Sequence, residues 1–153
     1  MTRVNAGLKK GFSDELLLNA LGEEPRILRE VIKRIGKGHN FDDIPQEFTL
    51  NKGHMKFFYN KCGFIYGRYQ DLRHEYRLRH GKQYSIKHLK RITARFKYIL
   101  KVRPDLCQDW TPTPAANDLV RERILSRSQN YVKSHNYFNQ PITNFKKLLY
   151  ENT

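Results

Sequence analysis

Apolar residues recur at helical spacing through most of the chain. Leu16, Leu17, Ala20 and Leu21 share one face, and Ile27, Leu28, Val31, Ile32 and Ile35 resume the period before Gly36 and Gly38 stop it. Ser13 has the chemistry of an N-cap, and Asp14 and Glu15 suit the positive end of a helix dipole. Gly22 and Pro25 interrupt this stretch, which predicts either one helix kinked there or two short helices meeting there. Glu23 and Arg26 fall at that irregular point. Residues 39–60, with Pro45, Gly53 and the run Phe57-Phe58-Tyr59, read as an irregular connector.

Ile65, Tyr69, Leu72 and Tyr76 then recur at i, i+4, i+7 and i+11, with Arg68, Arg73, Arg77 and Arg79 expected on the other surfaces of that helix. A further helix carries Ile86, Leu89, Ile92, Phe96 and Ile99, and Lys87, Lys90, Arg91, Arg95 and Lys101 stand largely opposite. Pro104, Pro112 and Pro114 mark a rigid connector. Ala116, Leu119, Val120 and Ile124 support another helix, on which Arg123 and Arg127 lie one turn apart. Tyr131, Tyr137 and Phe138 form an aromatic C-terminal tail, and a short closing helix is expected around Ile142, Phe145 and Leu149. Strand-like alternation and internal repeats are lacking. The expectation is an all-α fold, one compact domain over residues 1–153 with four to five helices and irregular connectors.

Charge changes the picture more than composition does. The net charge is +14, yet residues 1–50 carry eight basic and eight acidic side chains and are neutral. Residues 51–103 hold fifteen basic groups against only Asp71 and Glu75. Residues 104–153 hold six against five. A charge run is most often a solvated face, but the acidic partners that usually interleave one are nearly missing here. A polyanion-binding surface is the better reading. Nucleic acid is favoured over a membrane, because no segment shows a wide, purely apolar face. Cys62 and Cys107 make no CxxC pair, which suits a reducing compartment, and the start MTRVNAGLKK lacks the apolar stretch of a signal peptide. The expectation is a soluble monomer, not secreted and not membrane-bound. It would lie in the cytoplasm or near the nucleoid of a bacterial or virus-infected cell.

Several chemistries find no support. Phosphate-binding glycine loops and HExxH are missing, the six histidines show no ligand spacing, and the carboxylates are scattered, so no metal site and no cofactor are expected. Asp42-Asp43 reads as turn chemistry and His54 as a structural hydrogen-bonder. The N-terminus remains. Removal of Met1 would expose the α-amine of Thr2, whose ordinary pKa of about 8 leaves a useful neutral fraction near physiological pH. Such an amine can attack a sugar C1′ or an opened aldehyde and form a Schiff base. Taken alone this is a common N-terminus with no such use.

Its company alters that. MTRVN at the start, EEPR at Glu23–Arg26 and GHMKFFYNK at Gly53–Lys61 together resemble the pyrimidine-dimer DNA glycosylase/abasic-site lyases of the phage endonuclease V type. WTPTPAANDLVRERILSR after Asp109 resembles that family's last helix, whereas residues 83–108 are longer and more basic than its pattern. The resemblance implies that the Thr2 amine attacks C1′ and displaces a base. It implies that Glu23 stabilises the developing positive charge and assists the proton transfers of β-elimination. Arg3 and Arg26 would hold phosphates flanking the lesion, Arg123 and Arg127 would clamp the backbone, and Tyr137 would lie near the lesion. The partner implied is damaged double-stranded DNA with a nucleotide flipped from the stack. Two positions depart from the pattern: Leu16 replaces a histidine and Gly22 an arginine. These keep two alternatives open, a same-family enzyme for another damaged or modified base and a non-catalytic basic DNA-binding protein.

Overall fold

The computed structural model describes residues 12–134. These fold into α1 (Asp14–Gly36), α2 (His54–Phe57), α3 (Cys62–His80), α4 (Ile86–Val102), a 3₁₀ turn at Pro104–Leu106 and α5 (Pro114–Ser134). Among the described residues there is no strand; one isolated bridge joins Lys61 to Cys107. The class is all-α, as the periodicity predicts. The chain gathers into two compact units, residues 12–21 with 112–134, and residues 22–111. None of the described helices is long and apolar enough to cross a membrane. The segments around Tyr137, Phe138, Ile142, Phe145 and Leu149 lie outside the described residues.

Ser13 caps α1 as expected: its buried Oγ accepts from the Leu16 amide at 3.0 Å. Of the two sequence expectations at Gly22–Pro25, separate short helices are not what forms. α1 runs unbroken from Asp14 to Gly36 with Pro25 inside it. A proline in a helix interior costs about 3 kcal/mol through a missing donor and a ring clash. Burial on both sides offsets this, since Leu21, Ile27, Leu28 and Val31 are at most 1% exposed and each buried aliphatic contributes roughly 1.5–3 kcal/mol.

The connector of residues 39–60 is irregular except for α2, which Gly53 opens in the left-handed region at φ 91°. Here an aromatic cluster forms. Trp110 stacks on Phe48 with centroids 5.7 Å apart, Phe58 stacks on Phe64 at 5.8 Å, and Phe57 meets Phe58 edge-on at 5.0 Å. His54 is buried within it and its Nδ1 lies 2.7 Å from the Thr49 carbonyl, the structural role its position suggests. Asp43 does more than turn chemistry. It takes both Nη atoms of Arg34 at 3.2 Å and Lys56 Nζ at 2.9 Å.

α3 and α4 are fastened side by side. Tyr66 stacks on Phe96 with centroids 4.5 Å apart and planes 4° from parallel, and its hydroxyl bonds Thr93 Oγ1 at 2.6 Å. Tyr69 Oη meets His88 Nδ1 at 2.5 Å. Between the helices, Gly81 closes α3 at φ 68°, a conformation that favours glycine, and Ser85 Oγ caps α4 by accepting from the His88 amide at 3.1 Å. Arg73 reaches back across this turn and donates to the carbonyls of Tyr84 and Ser85.

Candidate nucleic-acid interface

Glu23 and Arg26 stand one turn apart on α1, inside regular helix rather than at a break. Glu23 is 9% exposed, so its carboxylate is largely withdrawn from water, while Arg26 is exposed. Glu24, next along, is fully buried, and its charge acts on Arg68 of α3, itself 4% exposed. Burial pushes the Arg68 guanidinium below its ordinary pKa, and Glu24 and Asp71 pull the other way. The helix therefore turns one carboxylate into a buried charge network and holds its neighbour, Glu23, nearer the surface.

The two departures from the family pattern have distinct surroundings. Leu16 is 2% exposed and belongs to the core. Gly22 is exposed, and a Cβ built on it would meet no heavy atom of the described residues within 4 Å. Packing among the described residues does not demand a glycine there. Arg123 is half-buried on α5, and Arg127 lies one turn further along the same helix. A hydroxyl cap like that of α1 recurs at the start of α5, where Thr113 Oγ1 accepts from the Ala116 amide at 3.1 Å ahead of Pro114. Thr2, Arg3 and Tyr137 lie outside the described residues.

The basic third of the chain is not uniformly a surface, which corrects the expectation for α3. Arg68 and Arg73 are buried, and Arg79 pairs with Glu75 at 3.1 Å with its side chain only 4% exposed. Elsewhere in this third, Lys61 Nζ donates to the Phe57 carbonyl and Asn60 Oδ1 at 2.9 Å, above the Phe57 ring. Lys56 is held by Asp43, and Arg103 is forked on Asp105 at 2.9 and 3.0 Å. Long basic side chains with apolar stems pack well beneath a helix once each head group finds a carbonyl or a carboxylate, and periodicity alone does not reveal those partners.

What remains exposed concentrates on α4. Lys87, Lys90, Arg91, Lys97 and Lys101 are exposed and Arg95 is half-exposed, whereas Ile92 and Ile99 on the other side are fully buried. α4 contains neither Asp nor Glu. Arg95 is held below its ordinary pKa by burial first and then by the like charges of Arg91 and of Arg29 on α1. His88 is lowered in the same way, by burial and then by Arg91, Arg73 and Arg95. Sequence reading missed the influence of Arg29 on this helix, because an electrostatic interaction between residues distant in the chain leaves no local pattern.

A separate pocket of about 390 Å³ opens beside Phe41, Asp42, Asn60, Arg103, Asp105 and Gln108. It includes none of the site residues named from sequence, and its one arginine is already committed to Asp105. Among the described residues no three His, Cys, Asp or Glu side chains gather in a metal-ligating group. No protein-family model matches the chain.

Proposed function

We propose that this protein is a DNA glycosylase with coupled abasic-site lyase activity, acting on ultraviolet-induced pyrimidine dimers in double-stranded DNA. The observation that carries the reading is Glu23, a carboxylate drawn out of bulk water on α1 one turn before the exposed Arg26. A carboxylate in a water-poor setting stabilises a neighbouring cation far more than one in solvent does. After loss of Met1, the neutral amine of Thr2 attacks C1′ and the base departs with the C1′–N bond electrons and a proton. The C1′–O4′ bond then breaks as the amine lone pair forms the C1′=N bond and O4′ takes a proton, and the resulting iminium makes the C2′ hydrogen acidic. Glu23 offsets the positive charge and assists its removal, the 3′-phosphate leaves, and water releases the amine. Arg3 and Arg26 hold phosphates beside the flipped nucleotide, Arg123 and Arg127 grip the backbone, and Tyr137 stands against the lesion.

Gly22, against which none of the described residues packs a side chain, and the buried Leu16 favour a second reading, the same chemistry aimed at another damaged base. Both readings keep Glu23, and both differ from a non-catalytic DNA binder. Borohydride trapping separates them. Protein verified to begin at Thr2 should give a covalent adduct on an abasic duplex, mapping to the N-terminal peptide, and also on an irradiated duplex. Adduct on abasic DNA alone selects the other base. With no adduct on either, the enzyme reading is lost. Glu23→Gln should keep DNA affinity and lose strand cleavage; if cleavage persists, Glu23 is not in the mechanism.

A further inference from the structure

We propose that the solvent face of α4 is a second DNA-binding surface, a cationic ridge that lies along the phosphodiester backbone of a duplex and extends the contact begun at Arg26. At 100° per residue, Lys97, Lys90, Lys101, Lys87, Arg91 and Arg95 fall within an arc of about 160°. The orientation of that arc is fixed, because Tyr66, Tyr69 and the buried Ile92 and Ile99 hold the opposite side of α4. Lys87, Lys90, Lys97 and Lys101 stay within about 80° of one another and form a row about 21 Å long at 1.5 Å per residue. That length matches about six base pairs of duplex, each strand presenting one phosphate per 3.4 Å of axis.

Three observations favour DNA over other anionic surfaces. The ridge has no carboxylate of its own, unlike the solvated faces elsewhere on the chain. The charge of Arg29 on α1, one turn beyond Arg26, is felt at Arg95, so the positive field of α4 is shared with the helix that carries Arg26. Like charges crowded in this way repel until an anion arrives. The exposed apolar residues of α4 do not make a membrane-inserting face. By helical spacing Ile86 and Leu100 flank one edge of the ridge, and Tyr98 and Val102 lie within it, surrounded by cations.

The ridge shares with the glycosylase reading only the DNA partner, and its test is independent of catalysis. The probe is an undamaged 30-base-pair duplex, titrated by fluorescence anisotropy at several salt concentrations. Lys90→Gln/Arg91→Gln/Lys97→Gln is compared with Lys37→Gln/Lys52→Gln/Lys82→Gln, which removes the same charge elsewhere. All six are exposed, and thermal melting checks that both proteins fold. Each lost phosphate contact lowers the slope of log K against log salt by about 0.9, so the α4 variant should flatten it by about 2 or more and lose about tenfold or more in affinity. The control should change the slope by less than about 1. Equal effects from both sets would overturn the proposal in favour of bulk charge. So would an unchanged DNA slope accompanied by lost binding to phosphatidylserine vesicles, which would assign the ridge to a lipid surface. Borohydride trapping of the unaltered protein is read separately: its failure ends the glycosylase reading and leaves a slope difference standing.

Discussion

Replacing Gly22 with alanine should stabilise the protein, and by an amount that can be worked out beforehand. Gly22 lies in the ninth position of α1, more than two turns from either end, with regular helix on both sides. Glycine in a helix interior is about 0.8–1 kcal/mol less favourable than alanine, chiefly because its unfolded backbone is freer. Outside its own helix turn, none of the described residues lies within 4 Å of the new Cβ, so it would gain no packing from them and meet no clash with them. The net expectation is therefore the propensity difference alone, about 1 kcal/mol, or a rise of roughly 2–4 °C in Tm for a chain of this size. Urea unfolding followed by helical circular dichroism measures it, with the midpoint moving up and the m-value unchanged. An unaltered or lower midpoint would refute the reasoning, because it would mean that Gly22 meets a requirement of the backbone that its surroundings do not show. The same variant should leave Glu23 in place and strand cleavage at its normal rate.

Gly63 makes the opposite case. A Cβ there would sit 2.8 Å from the Cys107 carbonyl oxygen and 3.0 Å from that of Gln108, both backbone atoms, so Gly63→Ala should destabilise by about 2–3 kcal/mol in the same unfolding assay. Asp43 predicts a pH dependence. Lys56 and Arg34 hold its carboxyl down at about 2 from an ordinary 3.8, so what the pairing contributes is present above pH 3.8 and is lost as pH falls through 2. A carboxyl-carbon NMR titration should place the midpoint near 2. The stability difference between the unaltered protein and Asp43→Asn should close below it.

The helices were legible because their apolar spacing is strong and their caps are conventional. Ser13 announces α1, and Ile65, Tyr69 and Leu72 are the fully buried row of α3. The continuity of α1 through Pro25 was not legible. It depends on how much the residues on each side bury, and that is set by other parts of the chain. The same holds for charge. Arg68, Arg73 and Arg79 look like surface residues in a linear reading, and only the fold supplies Glu24, the Tyr84 and Ser85 carbonyls and Glu75. The family resemblance named Glu23 and Arg26, which the fold sets one turn apart on α1 at different depths. It did not name Arg29 or the α4 ridge, which lies in the stretch where the chain is longer and more basic than the family pattern.

Arg73, bound to the turn between α3 and α4, bears on the thermodynamics of whatever anion α4 receives. Basic tails that fold upon a polyanion lose chain entropy and bury new surface as they do so, which shows as a large negative heat-capacity change. Here the turn is tied and the helix capped before any ligand arrives. Calorimetry of DNA binding at α4 should accordingly find a favourable entropy from released counterions and a small heat-capacity change.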